Sequence, residues 1–174
     1  MKNLIVFTFS LLTIGLIHSP LFAQTQEEVQ VGATIGSPLE ITKSADLHFG
    51  DIVAGATAGT LTIDTDGNIT TTGGTETFTF GDNDPSVATF DLKGMPWATV
   101  AVSLPDDNEV VLTNQHGNAE TMTLINFTTN FTDDKYTFTP PAKVELKVAA
   151  TIEVGADQEP GDYVGEFDVI LNYE

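Results

Sequence analysis

Short apolar runs separated by turn residues are the feature that most constrains how this chain folds. Threonine, valine, isoleucine and phenylalanine recur in these runs, glycine, asparagine, aspartate and proline interrupt them, and helical spacing is almost missing. β-Branched and aromatic residues suit a pleated, half-buried surface, and closely spaced short strands are typical of two packed sheets. We therefore predict an all-β fold, an antiparallel β-sandwich.

Twelve segments of the sequence have the composition of strands, and turn residues such as Gly73-Gly74, Pro140-Pro141 and Pro160-Gly161 separate several of them. The predicted strands are Val29–Ile35, Leu39–Thr42, Leu47–Val53, Thr60–Asp64, Ile69–Thr72, Thr75–Phe80, Val87–Lys93, Thr99–Leu104, Val110–Thr113, Met122–Phe127, Lys143–Val154 and Tyr163–Tyr173.

The last predicted strand, Tyr163–Tyr173, alternates most regularly. Successive side chains of a strand point to opposite faces, so Phe167, Val169, Leu171 and Tyr173 share one face and polar side chains occupy most of the other. This alternation predicts one continuous, half-buried strand.

The first 23 residues have the pattern of a secretory signal peptide. Lys2 precedes an apolar stretch, and Ala23 closes the polar segment that follows it. The apolar stretch is shorter than the roughly 20 residues that a membrane-spanning helix needs, and no later segment approaches that length. We expect export to the periplasm, the cell surface or the medium, with no membrane span in the mature chain.

The charge of the mature chain excludes some partners. Loss of Lys2 leaves five lysines and no arginine against 25 acidic residues, a formal charge of −20. Such a chain is repelled by nucleic acid and by anionic membranes, so neither is expected as a partner. Cysteine is also absent, and stability must therefore come from the apolar core.

Residues 24–36 form an N-terminal extension ahead of a single domain predicted for residues 37–174. Within it Val29, Val31, Ala33 and Ile35 alternate with polar residues or glycine, which predicts an extended arm with one apolar face. Two interpretations remain open. The arm is an ordinary first strand of the sandwich, or it is a donor strand that completes the sheet of a neighbouring subunit.

No residue pattern predicts catalysis or a cofactor. The chain lacks a nucleophile elbow and a metal-binding helix motif, and abundant carboxylates alone do not define an active site, so we predict no enzyme. Asp64, Asp66 and Asn68 resemble an oxygen-rich calcium loop only in part, and a type I′ turn at Asp66-Gly67 explains the same residues. For Trp97, at a strand entry, we expect a packing role.

Six segments are notable for the order and spacing of their residues: Pro38–Lys43, Asp46–Gly55, Phe90–Gly94, Thr99–Pro105, Pro160–Phe167 and Asn172-Tyr173. Together they resemble a family of small exported bacterial β-proteins classed as a domain of unknown function. The resemblance implies a kinship with chaperone–usher fimbrial subunits, and hence an immunoglobulin-like, pilin-like sandwich with a structural or adhesive role. It also implies that the terminal strand, through Phe167, Val169, Leu171 and Tyr173, contacts a chaperone or partner strand.

The sequence thus favours a non-enzymatic, fimbria-like subunit that assembles by β-strand complementation. Its expected partners are identical or related subunits, with a periplasmic chaperone and an outer-membrane usher. The alternative is a monomeric surface module that binds carbohydrate or calcium.

Overall fold

The structure, a computed structural model, describes residues 30–78, 83–117 and 119–174. The predicted signal peptide, Val29 and the end of the predicted strand Thr75–Phe80 lie outside the described residues. Residues Ile35–Glu174 form one compact unit. No helix among the described residues is long and apolar enough to cross a membrane.

The described residues form strands and connecting loops without a helix, which confirms the all-β prediction. Every strand pairing is antiparallel. The strands are β1 Glu40–Ala45, β2 Asp51–Ala54, β3 Gly59–Ile63, β4 Ile69–Thr72, β5 Thr75–Phe78, β6 Ala88–Lys93, β7 Thr99–Ser103, β8 Val111–Asn114, β9 Thr121–Thr129, β10 Lys135–Thr137, β11 Lys143–Val154, β12 Tyr163–Val164 and β13 Ile170–Tyr173.

These strands form three sheets. The largest has eight strands, ordered β1-β6-β11-β9-β8-β12, with β3 pairing the second half of β11 and β4 pairing β3. The second sheet is β10-β7-β13, and the third is β2-β5. Because β6 pairs the first half of β11 and β3 the second half, β11 is the central element of the fold.

The packing of β11 follows from its sequence. Its even-numbered residues from Leu146 to Val154 are apolar and buried, while Glu145 and Glu153 are exposed. Leu146 and Val148 belong to a core cluster shared with β6, β7 and Phe138, and the second half of β11 belongs to a cluster shared with β3 and β9. The first of these clusters joins the eight-stranded and three-stranded sheets.

The predicted strand Tyr163–Tyr173 is not continuous, and this prediction was wrong. Its start, β12, pairs β8 in the eight-stranded sheet, whereas its end, β13, pairs β7 in the three-stranded sheet. Residues 165–169 lie between them and join no ladder with described residues. The chain changes sheets here, so one extended stretch cannot keep one set of partners.

The turn before β12 is fixed by Tyr163. Its hydroxyl donates a hydrogen bond to the backbone oxygen of Glu159, four residues upstream, at 2.7 Å. The same hydroxyl accepts a hydrogen bond from the Gln158 side chain at 2.8 Å. A tyrosine bonded back to the chain at the corner between two strands is a feature of many immunoglobulin-like domains.

Candidate functional site

The inner face of β1 is incompletely covered. Ile41 pairs with Leu92 of β6, and cross-strand partners share a face, so both side chains point toward the core. Leu92 is fully buried, yet Ile41 is 43% exposed. An apolar side chain on the core side of an edge strand is therefore left in contact with solvent.

The C-terminal strand has the same property. Leu171 and Tyr173 pair with the buried residues Val102 and Val100 of β7, which places both on the inner face. Phe167, Val169 and Leu171 pack against the core but remain only half-buried, and Tyr173 is exposed. The alternation predicted from the sequence thus holds for these side chains, although the strand itself is interrupted.

The two edges lie at the same side of the fold. Among the described residues β1 has a ladder partner only in β6, and β13 only in β7. The Tyr173 hydroxyl approaches the backbone oxygen of Ser37, three residues before β1, at 3.4 Å. It also accepts a hydrogen bond from the Met95 backbone N–H at 2.8 Å. We call the inner faces of β1 and of residues 165–173 the open edge.

The described part of the N-terminal arm carries uncovered apolar side chains. Val31 is 92% exposed, Ile35 is 97% exposed, and Ala33 is exposed as well. Residues 30–35 belong to no strand, whereas the sequence predicted one over Val29–Ile35. An apolar face of this kind costs free energy in water unless another surface covers it.

The exposure of Trp97 was not predicted from the sequence. This residue was expected to pack, but its side chain is 72% exposed, in the turn between β6 and β7. Its φ is 68°, in the left-handed region that bulky residues seldom adopt. The sequence does not indicate that Trp97 is exposed, because Pro96 predicts a turn but not the direction of the side chain that follows it.

The candidate calcium residues form a different structure. The Asp64 carboxylate accepts backbone hydrogen bonds from Asp66 at 2.9 Å and Asn68 at 2.8 Å, and another from the Asn68 side chain at 2.9 Å. Only Gly67 in this loop has positive φ, 85°, so the predicted type I′ turn is wrong and the loop is a three-residue hairpin, Thr65–Gly67. Among the described residues no group of three histidine, aspartate or glutamate side chains is placed to hold a metal ion.

These hydrogen bonds lower the pKa of the Asp64 carboxyl below its ordinary value of 3.8, with the Asn68 side-chain bond as the largest cause. We expect Asn68→Ala to move this pKa back toward 3.8, as measured by the carboxyl carbon chemical shift in an NMR titration. Since the folded-state pKa is depressed, the contribution to stability is complete above pH 3.8 and is lost as pH falls through the lower folded value. Asn172→Ala on β13 is the control, and an Asp64 pKa that responds equally to both variants would contradict the assignment.

The described residues thus form an all-β protein of antiparallel sheets, in which the edges of β1 and β13 lie on one side and neither pairs there with another described strand. A family model described as Domain of unknown function (DUF4402) matches residues 39–173, and the chain belongs to this family. A search of the curated proteins found no match to the chain.

Proposed function

We propose that this protein is a non-enzymatic, fimbria-like structural or adhesive subunit that assembles by β-strand complementation. The open edge of one copy accepts the N-terminal arm of another. The observation that carries the proposal is the exposure of Ile41 on the core side of β1, opposite the fully buried Leu92. An inserted strand would cover this side chain and the half-buried face of residues 165–173.

The accepting edge offers the groups that strand addition needs. Residues 165–169 and the outer edge of β13 have no ladder partner among the described residues, so an added strand could pair with their backbone N–H and C=O groups. Phe167, Val169 and Leu171 supply apolar side chains at every second position of the same stretch. Backbone bonds would supply affinity, and the side chains specificity.

The donated face in this proposal is Val29, Val31, Ala33 and Ile35. Strong exposure of Val31 and Ile35 supports a face that is covered only in an assembly. The period of two matches the pockets that alternate along an accepting strand.

An immunoglobulin-like sandwich lacking its last strand is the fold that we propose for this function. The facing orders β1-β6-β11 and β13-β7-β10 and the Tyr163 corner support it. Short loops connect β6 to β7 and β10 to β11, so β1 and β13 occupy the same side of the pair. A final strand would fill that side.

The proposed setting is the bacterial cell surface, after export. A periplasmic chaperone would cover the open edge before assembly, and an outer-membrane usher would bring subunits together. Phe167, Val169, Leu171 and Tyr173 are the residues that such a chaperone would contact, because an uncovered apolar edge is otherwise an aggregation site.

The test compares the mature chain, residues 24–174, with a chain that begins at Ser37. We expect the mature chain to form oligomers that resist denaturant and run as ladders, and the shortened chain to be monomeric by light scattering. Slow dissociation is expected because strand removal requires partial unfolding.

Matched charge variants separate the apolar face from the arm as a whole. Val31→Asp with Ile35→Asp places two carboxylates on the donated face, whereas Gln30→Asp with Thr34→Asp adds the same charge to the other face. We expect the first pair to abolish the ladders and the second to retain them. Ladders from the chain that begins at Ser37, equal effects of the two pairs, or a mature chain that remains monomeric would refute strand exchange.

A further inference from the structure

The turn between β6 and β7 holds Trp97 in a strained and exposed position. Trp97 follows Pro96 and has φ 68°, as at the third position of a type II turn, where glycine is preferred. Its backbone N–H donates to the Phe138 oxygen at 2.8 Å, and the Ala98 N–H donates to the Met95 oxygen at 3.2 Å. The turn is therefore fixed, and an exposed side chain does not offset its backbone strain through packing.

This turn lies beside the point where the arm leaves the domain. A Cβ atom at Gly36 would lie 2.9 Å from the Met95 sulfur, so the two segments are in close contact. Met95 also donates to the Tyr173 hydroxyl, which in turn approaches the Ser37 oxygen. We call Ile35, Gly36, Met95, Pro96 and Trp97 the root surface.

The root surface is uncharged in a strongly acidic chain. Neither Ile35–Leu39 nor Gly94–Ala98 contains a charged residue, although the whole sequence has 25 acidic residues. Two copies of such a chain repel each other over most of their surfaces. Contact between copies is least unfavourable where carboxylates are absent, and methionine and tryptophan are enriched at the buried centres of interfaces.

Chain length makes this contact necessary if the arm is donated. Ile35 belongs to the donated face, whereas Ser37 stays close to its own subunit through Tyr173. Two residues of extended chain span at most about 7 Å. The accepting subunit must therefore approach the donor within that distance, at the root surface.

We propose that the root surface, centred on Trp97, binds the second copy of this chain that accepts the arm. The inference rests on the proposed function and adds to it the surface that sets the relative orientation of successive subunits. Trp97 is the anchor of the contact, and Met95 and Pro96 widen its apolar area.

Trp97 is the single tryptophan of the chain, so its fluorescence reports on this surface directly. In the mature protein we expect emission to shift to shorter wavelength, and quenching by acrylamide to fall, when ladders form. The chain that begins at Ser37 gives the reference for an exposed tryptophan. Ladders with unshifted, fully quenchable emission would overturn the inference and leave strand exchange standing.

Trp97→Gly tests how much the Trp97 side chain contributes to the association of subunits. Glycine adopts the left-handed region without strain, so in the chain that begins at Ser37, where assembly does not contribute, the variant should melt at or above the temperature of the same chain with Trp97. Association of subunits should nevertheless weaken by at least about 10-fold, as expected for loss of a tryptophan anchor. Ile69→Ala, at an exposed position of β4, is the control and should assemble as wild type.

Two further results would overturn the proposal for the root surface. If Trp97→Gly assembles as wild type in the mature chain, or melts clearly lower in the chain that begins at Ser37, the root surface is not the contact and Trp97 is a packing residue. If the wild-type mature chain forms no ladders, the proposed function fails and this inference fails with it.

Discussion

Phe138→Ala should lower the free energy of unfolding by about 3–5 kcal/mol, the largest loss expected from a single substitution in this chain. Phe138 is fully buried in the cluster that joins the eight-stranded and three-stranded sheets. Its ring lies so close to Gly94 that a Cβ atom there would clash with it, and it meets the Tyr136 ring edge-on at 5.6 Å. So close a fit leaves a cavity when the ring is removed.

Urea unfolding of the chain that begins at Ser37 measures this effect without contributions from assembly. Phe78→Ala is the matched control, because Phe78 on β5 is about half exposed and should lose no more than about 1 kcal/mol. Similar losses for the two variants would mean that Phe138 does not pack in a core shared by the two sheets.

Strand positions were largely predictable where turn residues bound an apolar run on both sides. The predicted bounds of β4, Ile69–Thr72, and β11, Lys143–Val154, are those of the structure. The three-residue strand β10 was missed because it is too short for alternation to register, and because Asp133 and Asp134, with φ 51° and 54°, form a turn without glycine.

Which sheet a strand joins was not predictable from alternation. Alternation fixed the inward face of Phe167, Val169 and Leu171, because the period of two is a local property. The change of sheet between β12 and β13 is instead a property of the tertiary structure: β12 pairs only Asn114 and Thr113 of β8, and β13 then joins β7 at Ser103. Alternation therefore predicted correctly which face these side chains occupy, and predicted wrongly that Tyr163–Tyr173 is one continuous strand.

The candidate site was half predictable for the same reason. The apolar arm and the terminal strand follow from alternation, whereas the exposure of Ile41 depends on the absence of a covering strand among the described residues. The exposure of Trp97 was not predictable either, because its backbone has a positive φ that tryptophan seldom adopts. Sequence patterns identify the faces of strands, and only the assembled sheets identify a face without a partner.

Moving the arm to the other end of the chain should convert an assembling subunit into a stable monomer. The variant lacks residues 24–36 at its start and carries them after Glu174 through a short flexible linker. The Glu174 backbone N–H bonds to the Thr99 oxygen at 3.0 Å, so the linker begins at the end of β13, beside the open edge.

Burial of Val31 and Ile35 in the open edge contributes about 3–6 kcal/mol on the usual scale for such side chains. Relative to the chain that begins at Ser37, this should raise the melting temperature by roughly 10 °C. Calorimetry gives the temperature, and light scattering gives the mass.

The control is the same fusion with Val31→Asp and Ile35→Asp, which keeps the length and removes the apolar face. It should melt near the temperature of the shortened chain, because burying two carboxylates against the apolar side chains of the open edge costs free energy instead of contributing it. Equal melting temperatures for the two fusions would show that the open edge does not accept this arm, whereas a rise confined to the apolar fusion would locate the missing strand between β1 and β13.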